Sequence, residues 1–365
     1  MVSFTPTEDQ QLLVDTIRRY AEKNVRTNAH EADEASDPDQ EALKAGWQLG
    51  LIPSALPEEL GGFGEMSAVT GALILEELAY GELALALHLM TPALFAYPVT
   101  LFGTAEQREN LLPMFLEESF TAATAAFLEP GVLFDPMAMK TTAQPDGDRI
   151  VINGQKAYVP LADSASYLLV YASSGDAGTI EAYIVPKDTE GIIVEKREML
   201  MGIRALPTFR VKFDNVMVDA AARLGGAVGI NFPLLLDRNN VALAALAVGV
   251  ARASYEYARE YAKNRVQFGK PIAQNQAIAF MLAESAIEID AARLMVWEAA
   301  WKLDQGEDAS REAYLARQYS NRMALTVTDS GVQTLGGYGF IREYPSERWL
   351  RNARGFPTFD GLAIV

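Results

Sequence analysis

The chain has 365 residues, of which 50% are hydrophobic and 22% are charged, and its formal net charge is −17. This length indicates two or three domains, and the acidic balance argues against a nucleic-acid surface and against binding to anionic membranes. The absence of cysteine excludes disulfides and thiol catalysis, and with His30 and His88 as the sole histidines a metal site or a histidine-based triad is not expected.

The apolar stretches of the sequence favour a soluble protein. Residues 1–6 lack the basic and long apolar segments of a secretory signal. The most apolar stretch, 241–251, is too short to span a bilayer before it reaches Arg252. We therefore expect a cytoplasmic protein with no membrane partner and no nucleic-acid partner.

Residues 6 to about 120 show the pattern of packed helices. Thr7 is a helix cap followed by two acidic residues, after which apolar side chains recur at helical spacing. A glycine-rich break follows at 59–64, and helical patterns resume at 68–77 and 105–116. The first part of the chain is therefore predicted to be helical.

From about residue 120 to 222 the chain is rich in β-branched residues, glycine and proline. The segment 149–156 is predicted to be a strand with a turn. Short strands at regular spacing are typical of a small barrel or sandwich. Further strands are predicted at 166–171, 180–185, 192–196 and 209–213.

From residue 231 onward the helical periodicity returns. Three long periodic segments lie at 241–264, 275–305 and 311–335, which predicts a bundle of antiparallel helices. The sequence thus predicts an α+β fold with a helical domain, a β-barrel or sandwich domain and a C-terminal four-helix bundle. The predicted domain boundaries are 1–120, 121–222 and 223–365.

A series of short motifs runs through most of the chain in a fixed order, and together they resemble the acyl-CoA dehydrogenase family. They match that family's LGGxG turn, a degenerate TEPGAGSD segment, and its INGxK, GIR and FxDV elements, followed by two C-terminal motifs. The matching segments are Leu60-Gly61-Gly62-Phe63-Gly64, Leu128-Glu129-Pro130-Gly131, Ile152-Asn153-Gly154-Gln155-Lys156, Met201-Gly202-Ile203-Arg204, Phe213-Asp214-Asn215-Val216, Arg265-Val266-Gln267-Phe268-Gly269 with Asn275-Gln276-Ala277-Ile278, and Gln333 to Phe340.

The resemblance implies an FAD-dependent enzyme that oxidises the Cα–Cβ bond of an acyl-CoA thioester. In such enzymes a carboxylate removes the α-proton and a hydride leaves Cβ for the flavin. An electron-transferring flavoprotein or a related carrier would be the electron acceptor.

The C-terminal motifs resemble residues that reach across a dimer to the FAD of a neighbouring chain. Arg265 would pair with the pyrophosphate and Phe268 would pack on the apolar face of the cofactor. Gly336 and Gly337 would let backbone N–H groups approach the cofactor, although a glycine pair of this kind is also an ordinary helix C-cap. The implied cofactor-binding set is Arg265, Gln267, Phe268, Gln276, Gln333, Gly336 and Gly337.

The other half of the implied flavin site has lost its hydroxyl groups. Aligned on the motifs, the Thr and Ser of TEPGAGSD are Leu128 and Phe134 here. The Trp and Thr of a WITN segment are Tyr158 and Pro160, and proline also lacks a backbone N–H. A rebuilt apolar pocket would explain these changes, but loss of the flavin contacts is the interpretation we favour.

The implied catalytic base is Asp360, where the family usually has the Glu of a YEG motif. Aspartate is one methylene shorter, and proton abstraction is sensitive to such a displacement. A substrate-contacting Arg of the family is Asn240 here, and Arg238 is offset by two residues and would point elsewhere on a helix. The run from 239 to 253 contains no acidic residue that could serve as an alternative base.

Three hypotheses follow. The first is the non-catalytic subunit of an α2β2 acyl-CoA dehydrogenase that supplies trans contacts to FAD, as in the heteromeric enzymes of steroid side-chain degradation, with a sister subunit as partner. The second is a homotetrameric acyl-CoA dehydrogenase that uses Asp360 as its base. The third is a flavin-free structural or binding protein. Apolar residues on more than one face of 278–282 favour a tetramer.

Overall fold

The computed structural model describes residues 5–175, 178–356 and 359–365. The order predicted from the sequence is confirmed, because helices come first, a β-sheet follows and long helices close the chain. Thr7 caps the first helix as predicted, with its hydroxyl accepting from the Gln10 N–H at 3.2 Å. The helices of the N-terminal part are α1 Glu8–Tyr20, α2 Ala29–Ala35, α3 Gln40–Trp47, α4 Leu51–Ala55, α5 Ala68–Gly81, α6 Leu83–Met90, α7 Ala93–Phe102 and α8 Ala105–Leu111.

The middle part is a seven-stranded mixed sheet. Its strands are ordered β1-β4-β2-β3-β7-β6, and β5 also pairs with β4. The predicted strands are all present, with β3 and β7 longer than the sequence pattern indicated. The bounds are β1 Thr124–Ala126, β2 Thr142–Asp146, β3 Arg149–Pro160, β4 Tyr167–Ser174, β5 Thr179–Pro186, β6 Ile192–Arg197 and β7 Thr208–Asp219.

The predicted turn within 149–156 is wrong, because β3 continues through it as one strand. The register against β7 shifts between Ile152 and Gly154, which makes this a β-bulge. Gly154 has φ +154°, and a Cβ added there would lie 2.7 Å from the Cα of Thr141. The glycine therefore permits the close approach of β3 to the chain before β2 rather than a reversal of the chain.

The C-terminal part contains the three predicted helices and one further helix. They are α9 Phe232–Asn264, α10 Gln276–Asp304, α11 Ser310–Leu335 and α12 Ser346–Gly355, and the short hairpin of β8 Val266–Gln267 and β9 Lys270–Pro271 links α9 to α10. In the described part of the chain, α9 is long and apolar enough to cross a membrane. The same holds for α6 and α7 together if this bent pair is counted as one span. However, 89% of the apolar stretch of α9 is buried inside the fold.

Helix α9 packs closely on α5 and shares a buried ionic cluster with it. A Cβ on Gly249 would lie 2.2 Å from the Glu76 carbonyl oxygen, so glycine is required for this contact. Arg252 of α9 pairs with Glu76 and Glu77 at 2.6 Å each, and Arg293 of α10 pairs with Glu76 at 3.0 Å. Burial alone would raise the pKa of Glu76, but Arg252 and Arg293 outweigh it and hold that pKa below its usual value. The cluster joins the N-terminal helices to the C-terminal bundle.

We predict that His88 makes the fold sensitive to mild acid. Burial, with a smaller contribution from Arg197, lowers the pKa of His88 from 6.5 to about 4. Between these values the unfolded chain binds more protons than the folded chain, so the free energy of unfolding falls as the pH falls, by at most about 1.4 kcal/mol per pH unit. Urea unfolding near pH 7 and near pH 5 should show a smaller loss of stability in His88→Leu than in the wild type.

The exposed His30 supplies the control for this measurement. His30→Gln should keep the pH dependence of the wild type. An equal loss of stability in His88→Leu and the wild type would contradict the prediction.

Candidate functional site

Five of the residues predicted to contact FAD line a single open cleft, which we call the Arg265 cleft. It has a volume of about 410 Å³ and lies between the end of α9 and the end of α11. Arg265 and Gln267 form one side, and Gln333, Gly336 and Gly337 form the other. The two C-terminal motifs, about 70 residues apart in sequence, are therefore brought together because α9 and α11 pack side by side in the same direction, with their C-terminal ends at the cleft.

Arg265 is held in place by the end of helix α9. Its backbone is extended, with φ −77° and ψ 114°, and its N–H donates to the Tyr261 carbonyl at 2.8 Å. The Arg265 carbonyl accepts from the Ile272 N–H at 2.8 Å, which closes the hairpin. Its guanidinium lies 5.4 Å from the centre of the Tyr338 ring, in range of a cation–π contact. The side chain is therefore directed towards the cleft.

The glycine pair has two properties that the sequence left as alternatives. A Cβ at Gly336 or Gly337 would meet nothing within 4 Å, so the cleft is open at both positions. Gly336 has φ +61° and its N–H donates to the carbonyls of Val332 and Gln333, which makes it the C-cap of α11. The helix end therefore uses the N–H of Gly336, and the predicted contact of the glycine pair with FAD stays a prediction.

Phe268 and Gln276, the other two predicted contacts, do not line the Arg265 cleft. Phe268 is at the tip of the hairpin with φ +54°, and its side chain is 96% exposed. Gln276 is the exposed first residue of α10. Their role towards a cofactor stays a prediction, and it would require another chain at this surface.

On the β-sheet side, the residues that the motifs retain hold the fold together. The Lys156 ammonium is fully buried and donates to Glu129 at 3.1 Å and to the Phe127 carbonyl at 2.9 Å. Glu129 also accepts from the backbone N–H groups of Lys140 and Thr141, both at 2.7 Å. Burial lowers the pKa of Lys156 to about 8, although Glu129 opposes this shift. Removing one partner of this pair would leave the other as an unpaired buried charge, so the pair favours this arrangement of the chain whether or not a ligand is bound.

The positions where the motifs have changed form apolar contacts within the chain. Phe134 packs edge-on against Phe127, with ring centres 5.9 Å apart. Tyr158 stacks on Phe359 with ring centres 4.2 Å apart and an interplanar angle of 13°. Two rings at this separation are in van der Waals contact, so no third ring fits between them. The C-terminal end of β3 is therefore covered by a side chain from the C-terminal segment.

The backbone at Tyr158 supports this closed arrangement. Its φ is +53°, in the left-handed region, and the register of β3 shifts again between Lys156 and Val159. The Tyr158 N–H donates to the Glu198 carboxylate at 3.0 Å. The Tyr158 N–H is thus already used within the chain, and the loss of the flavin contacts at this end of β3 stays a prediction.

Asp360, the predicted base, is held in an ion pair with Arg317 of α11. The same guanidinium nitrogen of Arg317 donates to the Asn240 side-chain oxygen at 2.9 Å. A general base needs a lone pair directed at the proton that it removes, and here a carboxylate oxygen of Asp360 accepts from Arg317. As predicted, Arg238 points elsewhere, since it donates to the Val365 carbonyl.

The sequence interpretation missed Arg317. Its neighbours on the same face of α11, Ala313, Ala316 and Ser320, are buried, and Arg317 itself is 7% exposed. A charged residue within a buried helical stripe is a signal that a buried partner exists. Where the family has an arginine in α9, this chain has Asn240, and Arg317 of the neighbouring helix α11 places its guanidinium beside that position.

The Arg265 cleft and the Asp360 position lie far apart on the same scaffold. Asn240, next to Asp360, and Arg265 are separated by 25 residues of α9 and its C-cap. At a rise of about 1.5 Å per residue this is roughly 37 Å along the helix. The two features are therefore at opposite ends of α9.

The residues of the Arg265 cleft suit the pyrophosphate part of FAD, whereas the residues at the C-terminal end of β3 do not suit its flavin ring. An arginine fork, amide side chains and an open glycine surface suit an anionic pyrophosphate and its sugar. At the C-terminal end of β3, Tyr158 and Phe359 stack on each other, so neither ring presents its stacked face to a ligand. Among the described residues, no group of three acidic or histidine side chains is placed to hold a metal ion.

Comparison with known proteins agrees with this architecture. Three family models match, described as the N-terminal, middle and C-terminal domains of acyl-CoA dehydrogenase, over residues 7–119, 124–216 and 234–363. The chain is 36% identical over 363 residues to cyclohex-1-ene-1-carbonyl-CoA dehydrogenase of Geobacter metallireducens, covering 97% of this chain and 95% of that protein.

Solved structures give the same result. Butyryl-CoA dehydrogenase from Megasphaera elsdenii superposes with a TM-score of 0.88 at 32% identity, over 96% of this chain and 94% of that one. The FAD complex of PigA has the same TM-score at 26% identity, with the same coverage of both chains. The chain therefore belongs to the acyl-CoA dehydrogenase family of oxidoreductases, which act on CH–CH groups with FAD as cofactor.

Proposed function

We propose that this chain is the non-catalytic subunit of a heteromeric acyl-CoA dehydrogenase and supplies contacts in trans to an FAD held mainly by a sister subunit. One contrast carries the proposal. The Arg265 cleft is open. By contrast, the C-terminal end of β3 is covered by the Tyr158–Phe359 stack, and Asp360 is paired with Arg317. In this arrangement FAD, when bound, accepts the hydride, and this chain contributes binding and orientation.

The distance along α9 supports a contact in trans. Arg265 is roughly 37 Å from the Asp360 cluster, so a cofactor gripped by Arg265 reaches the reaction centre of another chain more readily than that of its own. The exposure of Phe268 also supports a contact with another chain. A phenylalanine side chain that is 96% exposed is costly in free energy unless a partner covers it. A neighbouring chain at the hairpin would bury Phe268 and complete the Arg265 cleft.

The exposed surface of α10 supports assembly into a tetramer. Phe280, Ile287 and Leu294 recur at intervals of seven residues and are 58%, 66% and 44% exposed. This spacing places them on one face of the helix, as in helix pairs that pack against each other. We propose two copies of this chain with two of the sister subunit, and light scattering that showed a monodisperse monomer with and without the sister would contradict this.

The substrate of the complex is proposed to be an acyl-CoA thioester, with an electron-transferring flavoprotein or a related carrier as acceptor. The names of two relatives, cyclohex-1-ene-1-carbonyl-CoA dehydrogenase and butyryl-CoA dehydrogenase, indicate cyclic and short acyl groups in this family. The analogy with heteromeric family members favours a steroid side-chain acyl-CoA. The analogy also agrees with a cytoplasmic location.

A homotetrameric enzyme with Asp360 as its base is the second candidate. It is favoured by the match to the curated relative, which extends over nearly the whole length of both proteins. It requires Arg317 to release Asp360 and the Tyr158–Phe359 stack to open. A flavin-free binding protein is less favoured, because five predicted cofactor contacts meet in one cleft.

We predict that Arg265→Ala releases flavin from the complex isolated with its sister subunit. Loss of a charge-assisted pair with the pyrophosphate should cost about 2–3 kcal/mol, which is tens- to a hundred-fold in flavin affinity. Arg265→Lys should recover part of the affinity, because an ammonium cannot make the two-pronged contact. Flavin content is measured by absorbance after gel filtration.

Arg259→Ala is the matched control, since Arg259 lies on the same helix and pairs with Glu260 at the surface. It should leave flavin content unchanged. Full retention of flavin in Arg265→Ala would refute the trans role.

We also predict that Asp360→Asn leaves the turnover rate of the complex within about two-fold, because no interaction with the transition state is removed. If Asp360 were the base, the rate should fall by at least about 10³-fold while flavin stays bound. Steady-state turnover with an acyl-CoA substrate distinguishes the two candidates. Activity of this chain alone that is lost in Asp360→Asn would favour the homotetrameric enzyme.

A further inference from the structure

The residues that follow Asp360 lie inside the main hydrophobic core. Leu362, Ala363, Ile364 and Val365 are each at most 5% exposed. The segment runs so close to α5 that a Cβ at Gly71 would lie 3.1 Å from the side chain of Val365. An apolar extended segment is thus packed among the helices directly beside the position of the predicted base.

Three polar anchors from α9 and α11 hold this segment. Arg317 pairs with Asp360, and the Asn239 side-chain oxygen accepts from the Gly361 N–H at 2.9 Å. Arg238 donates to the Val365 carbonyl. Arg238, Asn239 and Arg317 are all buried. Buried polar groups are costly when unpaired, so each anchor favours one fixed position of the segment.

We propose that residues 361–365 are a built-in occupant of the core beside Asp360, and that Arg317 is the positioning residue that keeps them there. An acyl group that loses its α-proton to Asp360 would need its Cα within hydrogen-bond reach of that carboxylate. One oxygen of that carboxylate accepts from Arg317, and the residues directly after Asp360, Leu362 to Val365, are buried in the core. In the proposed arrangement these two features keep an acyl thioester away from Asp360.

The inference rests on the proposed function only in taking Asp360 as the base position. The buried segment would explain why the acyl group does not reach Asp360 in this subunit. The Arg265 cleft concerns the cofactor and gives no such reason. Arg317 is central because it bridges Asp360 and Asn240. Its removal leaves Asp360 without this charge partner, which should destabilise the packed position of the segment.

Hydrogen exchange tests the anchoring. In the wild-type chain the amides of 361–365 should exchange at least about 100-fold more slowly than those of an unstructured peptide. Arg317→Gln should accelerate them at least about ten-fold and leave the amides of α9 unchanged, and Arg317→Lys should have an intermediate effect. The control is Arg311→Gln on the same helix, because the side chain of Arg311 is 82% exposed.

Rapid exchange of 361–365 in the wild type would overturn the inference even if no variant folded, and so would equal exchange in the wild type and a folded Arg317→Gln. A second measurement is calorimetric titration of the wild-type chain with butyryl-CoA and octanoyl-CoA. No saturable binding is expected, and one-to-one binding that Asp360→Asn weakens would overturn the inference. If exchange is rapid but Arg265→Ala still releases flavin from the complex, the proposed function stands and this inference alone fails.

Discussion

Helix α9 packs against α5, α10 and α11, and both the Arg265 cleft and the Asp360 segment take their positions from that packing. Gly249 brings α9 against α5, and Arg252 joins the buried ionic cluster at this contact. Removing one partner of such a cluster would leave a buried charge uncompensated, which costs several kcal/mol. The helix is therefore fixed in position and rotation. Its first turns face the Asp360 segment, and its last turn presents Arg265 to the cleft.

The retained and replaced residues of the family motifs perform different tasks. Glu129 and Lys156 are retained, and they form a buried pair that also binds backbone N–H and carbonyl groups. Leu128, Phe134 and Tyr158 are replacements, and they lie among apolar neighbours or stack within the chain. A fold needs the first group whether or not a flavin is bound, whereas the second group matters to a ligand. The retained residues therefore indicate the family, whereas the replaced residues bear on whether the active site is complete.

The sequence predicted most of the fold because its signals are local. Helical periodicity gave α9, α10 and α11, and alternation and turn residues gave the strands, with errors where the structure is not local. The predicted turn at Gly154 is a bulge, because the glycine is required by a neighbouring strand and not by a reversal of the chain. Likewise, the ring contact between Tyr158 and Phe359 joins residues about 200 positions apart, which periodicity cannot detect.

The candidate site was predictable in part for the same reason. The Arg265 cleft depends on two motifs whose family context is specific, and the structure places five of their residues together. The Arg317–Asp360 pair depends on how α11 faces the C-terminal segment, and no motif encodes that contact. The signal in the sequence was an arginine among the small residues Ala313, Ala316 and Ser320 of a helix, because an arginine that is buried there requires a partner. The partner itself is identified only by the tertiary fold.

We propose that this chain contributes to a flavin site without containing a complete one. The flavin content of the purified protein tests this, by absorbance and amino-acid analysis, for the chain alone and for the complex isolated with its sister subunit. We expect little or no flavin on the chain alone and about one FAD for every two chains in the complex. One FAD bound to each copy of this chain in the absence of any other subunit would contradict it.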